Sequence, residues 1–195
     1  LYKDVISWVK DTINIISNSN NINLYIKTHP GEYYDKSKTL KGVADFIREE
    51  FGNDLPGNVF FIEPFMKIKP YDLFPHIDLG VIFSGTLGLE MMLNEIPVVS
   101  TGITPHLDLG FANEPKTKDE YEMILNGEFL LNKPKISDIR KFAYFYFIKS
   151  CIPWDISENI YGGFFNGFNI DCLDDLEPGK NKILDHICNS LIKDK

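Results

Sequence analysis

Four short apolar runs, at residues 24–26, 59–62, 79–83 and 97–100, alternate with segments of helical spacing, and this alternation restricts the chain to few folds. Residues 2–17 place Val5, Trp8, Val9, Ile13 and Ile16 on one helical face. Residues 39–51 do the same with Leu40, Val43, Phe46 and Ile47, and residues 87–93 form a third, short helical stretch. Pro70 and Pro75 bracket a further short helix or turn at residues 71–76. The order β-α-β-α-β-α-β is that of a parallel sheet, and runs that are apolar throughout suit strands with helices on both faces. The expected fold class is therefore α/β, a Rossmann-like parallel sheet covered by helices on both faces. Residues 1–130 are expected to form that domain. Residues 131–195 form a C-terminal helical and aromatic extension that packs on it, with helices near 136–151 and 180–192 and no assigned structure between them.

Strand ends in such a sheet carry the chemistry, because ligands bind beyond the carboxyl ends of parallel strands. The first run ends in Lys27-Thr28-His29-Pro30-Gly31, which sets His29 on that side with Pro30 fixing the turn. Lys27 is not expected to join His29 as a phosphate ligand. The third run ends in Phe83-Ser84-Gly85-Thr86-Leu87-Gly88-Leu89-Glu90. Ser84, Gly85 and Thr86 offer hydroxyls and helix-start amides, a combination that favours an anion such as phosphate, and Glu90 follows one turn later. The competing reading is an ordinary helix start, since Ser and Thr cap helices generally. After the fourth run comes a long loop, residues 101–111, containing Gly102, His106 and Asp108. Loops of this length between tight elements are often functional. His76 reads as structural and His186 as exposed.

Composition narrows the partners. A net charge of −8 without a basic run argues against nucleic acid. The cysteines, Cys151, Cys172 and Cys188, are three and widely spaced, so no zinc or redox motif is expected and a reducing compartment fits. With no membrane-length apolar run and no visible signal peptide, the expectation is a cytoplasmic protein, with peripheral placement at the inner face of the membrane left open. No Asp-x-Asp pair points to a metal, and no cofactor is expected. The chain opens on Leu1 inside a helical pattern, which suggests sequence upstream.

Taken in order, Lys27-Thr28-His29-Pro30, the Ser84–Glu90 turn, Pro97-Val98-Val99 and the block from Gly102 to Tyr121 (Gly-x-x-x-His-x-Asp-x-Gly-Phe, then Pro115-Lys116-Thr117-Lys118-Asp119-Glu120-Tyr121) resemble one family. It is the C-terminal half of bacterial capsule and surface-polysaccharide glycosyltransferases of the GT-B type. Capsular Kdo transferases, bacterial sialyltransferases and teichoic-acid glycerophosphate polymerases look similar here. The resemblance spans roughly residues 22–125.

It implies a donor-binding half that takes a nucleotide-sugar as substrate and works toward a polysaccharide or lipid-linked acceptor. By resemblance, His29 contacts the donor phosphate, Pro30 fixes the turn, Ser84, Gly85 and Thr86 bind phosphate, and Glu90 accepts from the ribose hydroxyls. The loop from Glu63 to Phe65 flanks the base, and Gly102 and His106 are further candidates. Related proteins often carry an aromatic where this chain has His106-Leu107. The base in such enzymes usually comes from an N-terminal domain, expected here to be missing, so the chain would be incomplete as a catalyst. The alternatives are a nucleotide-sugar 2-epimerase or glycerophosphate transferase of the same plan, and a non-catalytic interaction domain using the aromatic helix and tail.

Overall fold

The computed structural model describes residues 1–19, 21–34, 41–52, 54–152, 157–160, 164–168 and 170–192. It divides into two compact units, Leu1–Lys141 and Phe142–Lys195. The first is a mixed α/β unit of small parallel sheets and helices: α1 (Val5–Ser17), β1 (Leu24–Lys27), α2 (Gly31–Tyr34), α3 (Val43–Phe51), β2 (Val59–Ile62), α4 (Pro70–Leu73), β3 (Gly80–Ile82), α5 (Leu87–Leu93), β4 (Val98–Ser100) and α6 (Lys118–Leu125). A 3₁₀ turn, Phe74–His76, follows α4. Every expected apolar run forms a strand, and Leu40, expected on the second helix, lies outside the described residues.

The strands are joined as two parallel pairs and not as one ladder. Leu24 aligns with Val59 and Lys27 with Ile62 in β1–β2, while Gly80 aligns with Val98 and Ile82 with Ser100 in β3–β4. At three residues each, β3 and β4 offer few backbone groups for lateral pairing. Their edge is extended instead by a parallel bridge from Val99 to Asn113, with Ser100 N donating to Asn113 O at 2.9 Å and Asn113 N to Val98 O at 2.8 Å. Helices also do not cover both faces throughout. Tyr25 and Phe60 stack on each other with ring centroids 5.0 Å apart, yet remain 47% and 43% exposed. The short α4 and its 3₁₀ turn leave a cavity of about 190 Å³ there, lined by Tyr25, Leu73, His76 and Ile77.

Both pairs nevertheless feed one hydrophobic core. Val9, Ile13 and Ile16 of α1 meet Phe46 and Ile47 of α3, Val59, Val99, and Tyr121, Ile124 and Leu125 of α6, with Ile26, Phe61 and Val81 against them. The ends of α1 are secured by side chains. Asp4 accepts from Ser7 N at 2.7 Å as N-cap, satisfying an otherwise orphaned amide. Beyond its carboxyl end the amide of Asn58, just before β2, donates to the carbonyls of Ile16, Ser19 and Ile22 at 2.7, 2.9 and 3.0 Å. Thr117 caps α6 by accepting from Glu120 N at 3.1 Å.

Tyr121 is 0% exposed, so its hydroxyl needs partners inside the core. Trp8 Nε1 donates to it at 3.0 Å, and it lies 2.7 Å from Thr12 Oγ1. Thr12 spends its own hydrogen on Trp8 O at 2.8 Å. Tyr121 therefore donates to Thr12, and the three groups close a relay between α1 and α6. Burial pushes the phenol up to about 12, so it keeps its proton.

The second unit, by itself, holds the end of α7 (Ile136–Tyr144), a π-helical turn at Phe145–Lys149, an antiparallel pair β5 (Ser157–Ile160) and β6 (Phe164–Phe168), a 3₁₀ turn at Leu173–Leu176 and α8 (Lys182–Ile192). The expected 136–151 helix thus stops being α-helical at Tyr144, and the β5–β6 pair lies in the stretch expected to be without assigned structure.

Tyr121→Phe should lower unfolding free energy by about 1–3 kcal/mol, because it strands the Trp8 N–H in the core. Urea denaturation monitored by Trp fluorescence reads this directly, and an unchanged midpoint and slope would contradict the relay.

Candidate functional site

The Ser84 turn is built by two close approaches. Phe83 directly follows β3, and its carbonyl sits so near Gly102 that a Cβ there would lie 2.2 Å from the oxygen. Only glycine lets the loop after β4 run this close. Thr101 N and Oγ1 both donate to Ile82 O, at 3.0 and 3.2 Å, and hold the same junction. The Phe83 ring packs on Trp8 at 5.7 Å between centroids. The chain then turns outward: Ser84 and Gly85 are exposed, and Gly85 adopts φ +91°, a left-handed conformation, with open space where a Cβ would stand.

No side chain caps α5. The Thr86 hydroxyl reaches forward to Glu90 Oε1 at 3.4 Å, and Glu90 Oε2 accepts from the Tyr71 hydroxyl. The polar outer wall of the turn thus comprises Ser84, Gly85, Thr86 and a carboxylate one turn on.

The inner wall is different. A Cβ at Gly88 would meet Ile82 Cδ1 at 2.3 Å and His106 Cε1 at 3.2 Å, so the His106 ring lies against the backbone of the first turn of α5. His106 is 0% exposed and neither ring nitrogen has a hydrogen-bond partner. Burial pushes its pKa down. Of the loop candidates, Gly102 and His106 therefore support the turn from within. Asp108 is a turn former: it has φ +59°, and its N–H donates to both carboxylate oxygens of Glu114 at 3.0 and 3.2 Å.

His29 and Pro30 are exposed just past β1. Gly31 N donates to His29 Nδ1 at 3.0 Å, which leaves Nε2 carrying the hydrogen in the neutral ring and free to donate outward. Next to them, Glu32 turns back and accepts from Ala44 N at 2.9 Å, filling the space that Gly42 leaves, and so ties this loop to the start of α3. Lys27 Nζ is spent on Thr28 O at 3.1 Å. Glu63 is engaged elsewhere: Arg48 grips both its oxygens, Nε at 3.3 Å from Oε1 and Nη2 on Oε2.

The structure thus gathers Ser84, Gly85, Thr86, Glu90, Gly102 and His106 about one turn, and sets His29 with Pro30, and Glu63, in loops of their own. Among the described residues no hydrogen bond joins His29 to the Ser84 turn, and no three His, Cys, Asp or Glu side chains converge as a metal site would require.

Three hydroxyls escaped the sequence reading. Thr28, Ser100 and Thr104 are buried, and their side-chain oxygens lack partners, as do the His106 nitrogens. Thr28 and Ser100 fall at the carboxyl ends of β1 and β4, the ligand side of parallel strands, and Thr104 and His106 lie in the loop that follows β4. Small hydroxyl residues after a strand carry no distinctive pattern, so only the structure singles them out. Among the described residues no helix is long and apolar enough to cross a membrane.

Two consequences are measurable. His106 is held neutral, so below its ordinary pKa the unfolded chain binds the extra proton and the folded chain does not. Its contribution to stability is complete above about pH 6.5 and falls as the pH drops through that value. Thermal melts of the wild type from pH 8 to pH 5 should show a loss that His106→Leu reduces, whereas parallel profiles would contradict it. Gly102→Ala should cost about 1–3 kcal/mol by overpacking against a backbone carbonyl; a melting temperature equal to wild type would refute the close approach. No family model matches the chain, and neither a curated protein nor a solved structure matches it.

Proposed function

We propose that the chain binds the nucleotide part of a nucleotide-sugar, as the donor half of a surface-polysaccharide glycosyltransferase. The observation that carries the reading is the Ser84–Glu90 turn: an exposed serine, a glycine held at φ +91° with open space beside it, a helix start without a side-chain cap, and a carboxylate one turn along. Amides and hydroxyls of that kind accept phosphate, and a carboxylate beside them accepts from sugar hydroxyls.

In the Rossmann-like arrangement we infer, the two parallel pairs stand side by side in the order β2-β1-β3-β4. The switch point then falls between β1 and β3, which brings the loops carrying His29 and Ser84 to one crevice. Support comes from the shared core, in which Ile26 of β1 and Val81 of β3 pack on the same cluster. The outward Nε2–H of His29 would donate to the phosphate, stabilising charge that develops on the leaving nucleotide. Glu63 already accepts from Arg48 at both oxygens, so it would meet the base through the acceptor position left on each. The partner on the acceptor side, a polysaccharide or lipid-linked glycan, and an N-terminal domain supplying the base follow from the family resemblance alone.

A thermal-shift titration with CMP, CDP, UMP, UDP and GDP tests the proposal. A ligand at a hundredfold excess over its Kd stabilises the folded state by about 2.7 kcal/mol. The expected result is a shift with one base that His29→Ala and Ser84→Ala each reduce. No shift with any nucleotide would remove the reading.

A further inference from the structure

We propose that Tyr71 is a positioning residue for Glu90, holding its carboxylate as a preset acceptor for the vicinal hydroxyls of a ribose. The inference rests on the nucleotide reading of the Ser84 turn, in which Glu90 meets the ribose, and adds to it the residue that presets that carboxylate.

Glu90 is held at one oxygen by a residue of another element and touched weakly at the other. Thr86, one turn earlier on α5, donates to Oε1 at 3.4 Å, and Tyr71, from α4, donates to Oε2. Each carboxylate oxygen has two acceptor positions, so one on each oxygen stays available. With Oε2 anchored by Tyr71, the carboxylate can accept from two adjacent hydroxyls at once. A free glutamate side chain would have to give up rotamer freedom on binding, and here that cost is met in the unliganded fold.

Tyr71 is 56% exposed, so burial does not dictate where it points. Its position is set locally. Pro70 begins α4, Asp72 Oδ2 accepts from Lys69 N at 2.8 Å to secure that start, and the Tyr71 ring meets Phe74 edge-on at 5.3 Å. The two residues are thus joined by chain segments that are each braced independently. The neighbouring carboxylate raises the phenol above its ordinary range, so Tyr71 remains a donor through neutral pH.

Calorimetric titration of wild type, Tyr71→Phe, Glu90→Gln and the double variant tests the assignment, using CMP and UMP alongside their 2′,3′-dideoxy counterparts. Tyr71→Phe is expected to weaken the ribonucleotide about tenfold, equivalent to about 1.4 kcal/mol, and to leave the dideoxy form unchanged. Glu90→Gln should weaken the ribonucleotide at least as much, and the double variant should be no worse than Glu90→Gln alone. Ribonucleotide binding by Tyr71→Phe at wild-type strength, with Glu90→Gln impaired, would overturn the role of Tyr71 while leaving the nucleotide site intact. Equal weakening of ribo and dideoxy forms by Tyr71→Phe would make it a structural contact only. If wild type binds neither of these and no other ribonucleotide, the nucleotide reading falls and the inference with it.

Discussion

The first unit depends on how one buried hydroxyl is paired. A tyrosine enclosed on every side must find partners or cost the fold its desolvation. Tyr121 finds both on α1: it accepts from the Trp8 indole and donates to Thr12, whose own hydrogen returns to the Trp8 carbonyl. Because the three groups satisfy one another, α1 and α6 have one mutual register. The core that the helices enclose receives side chains from both strand pairs.

The same tryptophan passes that order to the candidate site. Its ring lies on Phe83, the last residue before the Ser84 turn, and Gly102 admits the Phe83 carbonyl at a distance no side chain would allow. Beneath α5 the wall is Ile82 and the neutral ring of His106. Above it stand an exposed serine, a left-handed glycine and Glu90. An uncharged floor is what the proposed anion site needs, because the floor offers nothing that competes for the anion. His106 is costly as a floor, since its nitrogens are buried without partners, and a buried unpaired polar group costs about 1–3 kcal/mol.

Local pattern made the elements legible and left their assembly hidden. Val9, Ile13 and Ile16 are buried as their spacing requires, Thr117 caps α6, and the Ser84–Glu90 stretch does turn and enter a helix. Splitting into two parallel pairs depends on lateral contacts between very short strands, which periodicity does not encode. The open face at Tyr25 and Phe60 was equally invisible, since a stacked aromatic pair and a covered one have the same letters. The tail resisted for another reason: aromatic and glycine residues crowd it without alternation, so β5 and β6 left no period to detect. At the site, residue types near strand ends pointed to Ser84, Glu90 and His29. The engagement of Glu63 by Arg48 and the burial of His106 are matters of three-dimensional proximity, as is the bond from Tyr71 to Glu90.

In the proposed function, a nucleotide phosphate lands at the Ser84 turn. Backbone amide chemical shifts, followed by NMR as CMP and UMP are titrated separately, locate contact residue by residue. The account predicts the largest perturbations at Ser84, Gly85, Thr86 and Leu87 with one of the two, and a smaller set at His29 and Gly31. Saturable perturbations confined to another surface, such as the Tyr25 and Phe60 face, with the Ser84 turn unmoved, would contradict it.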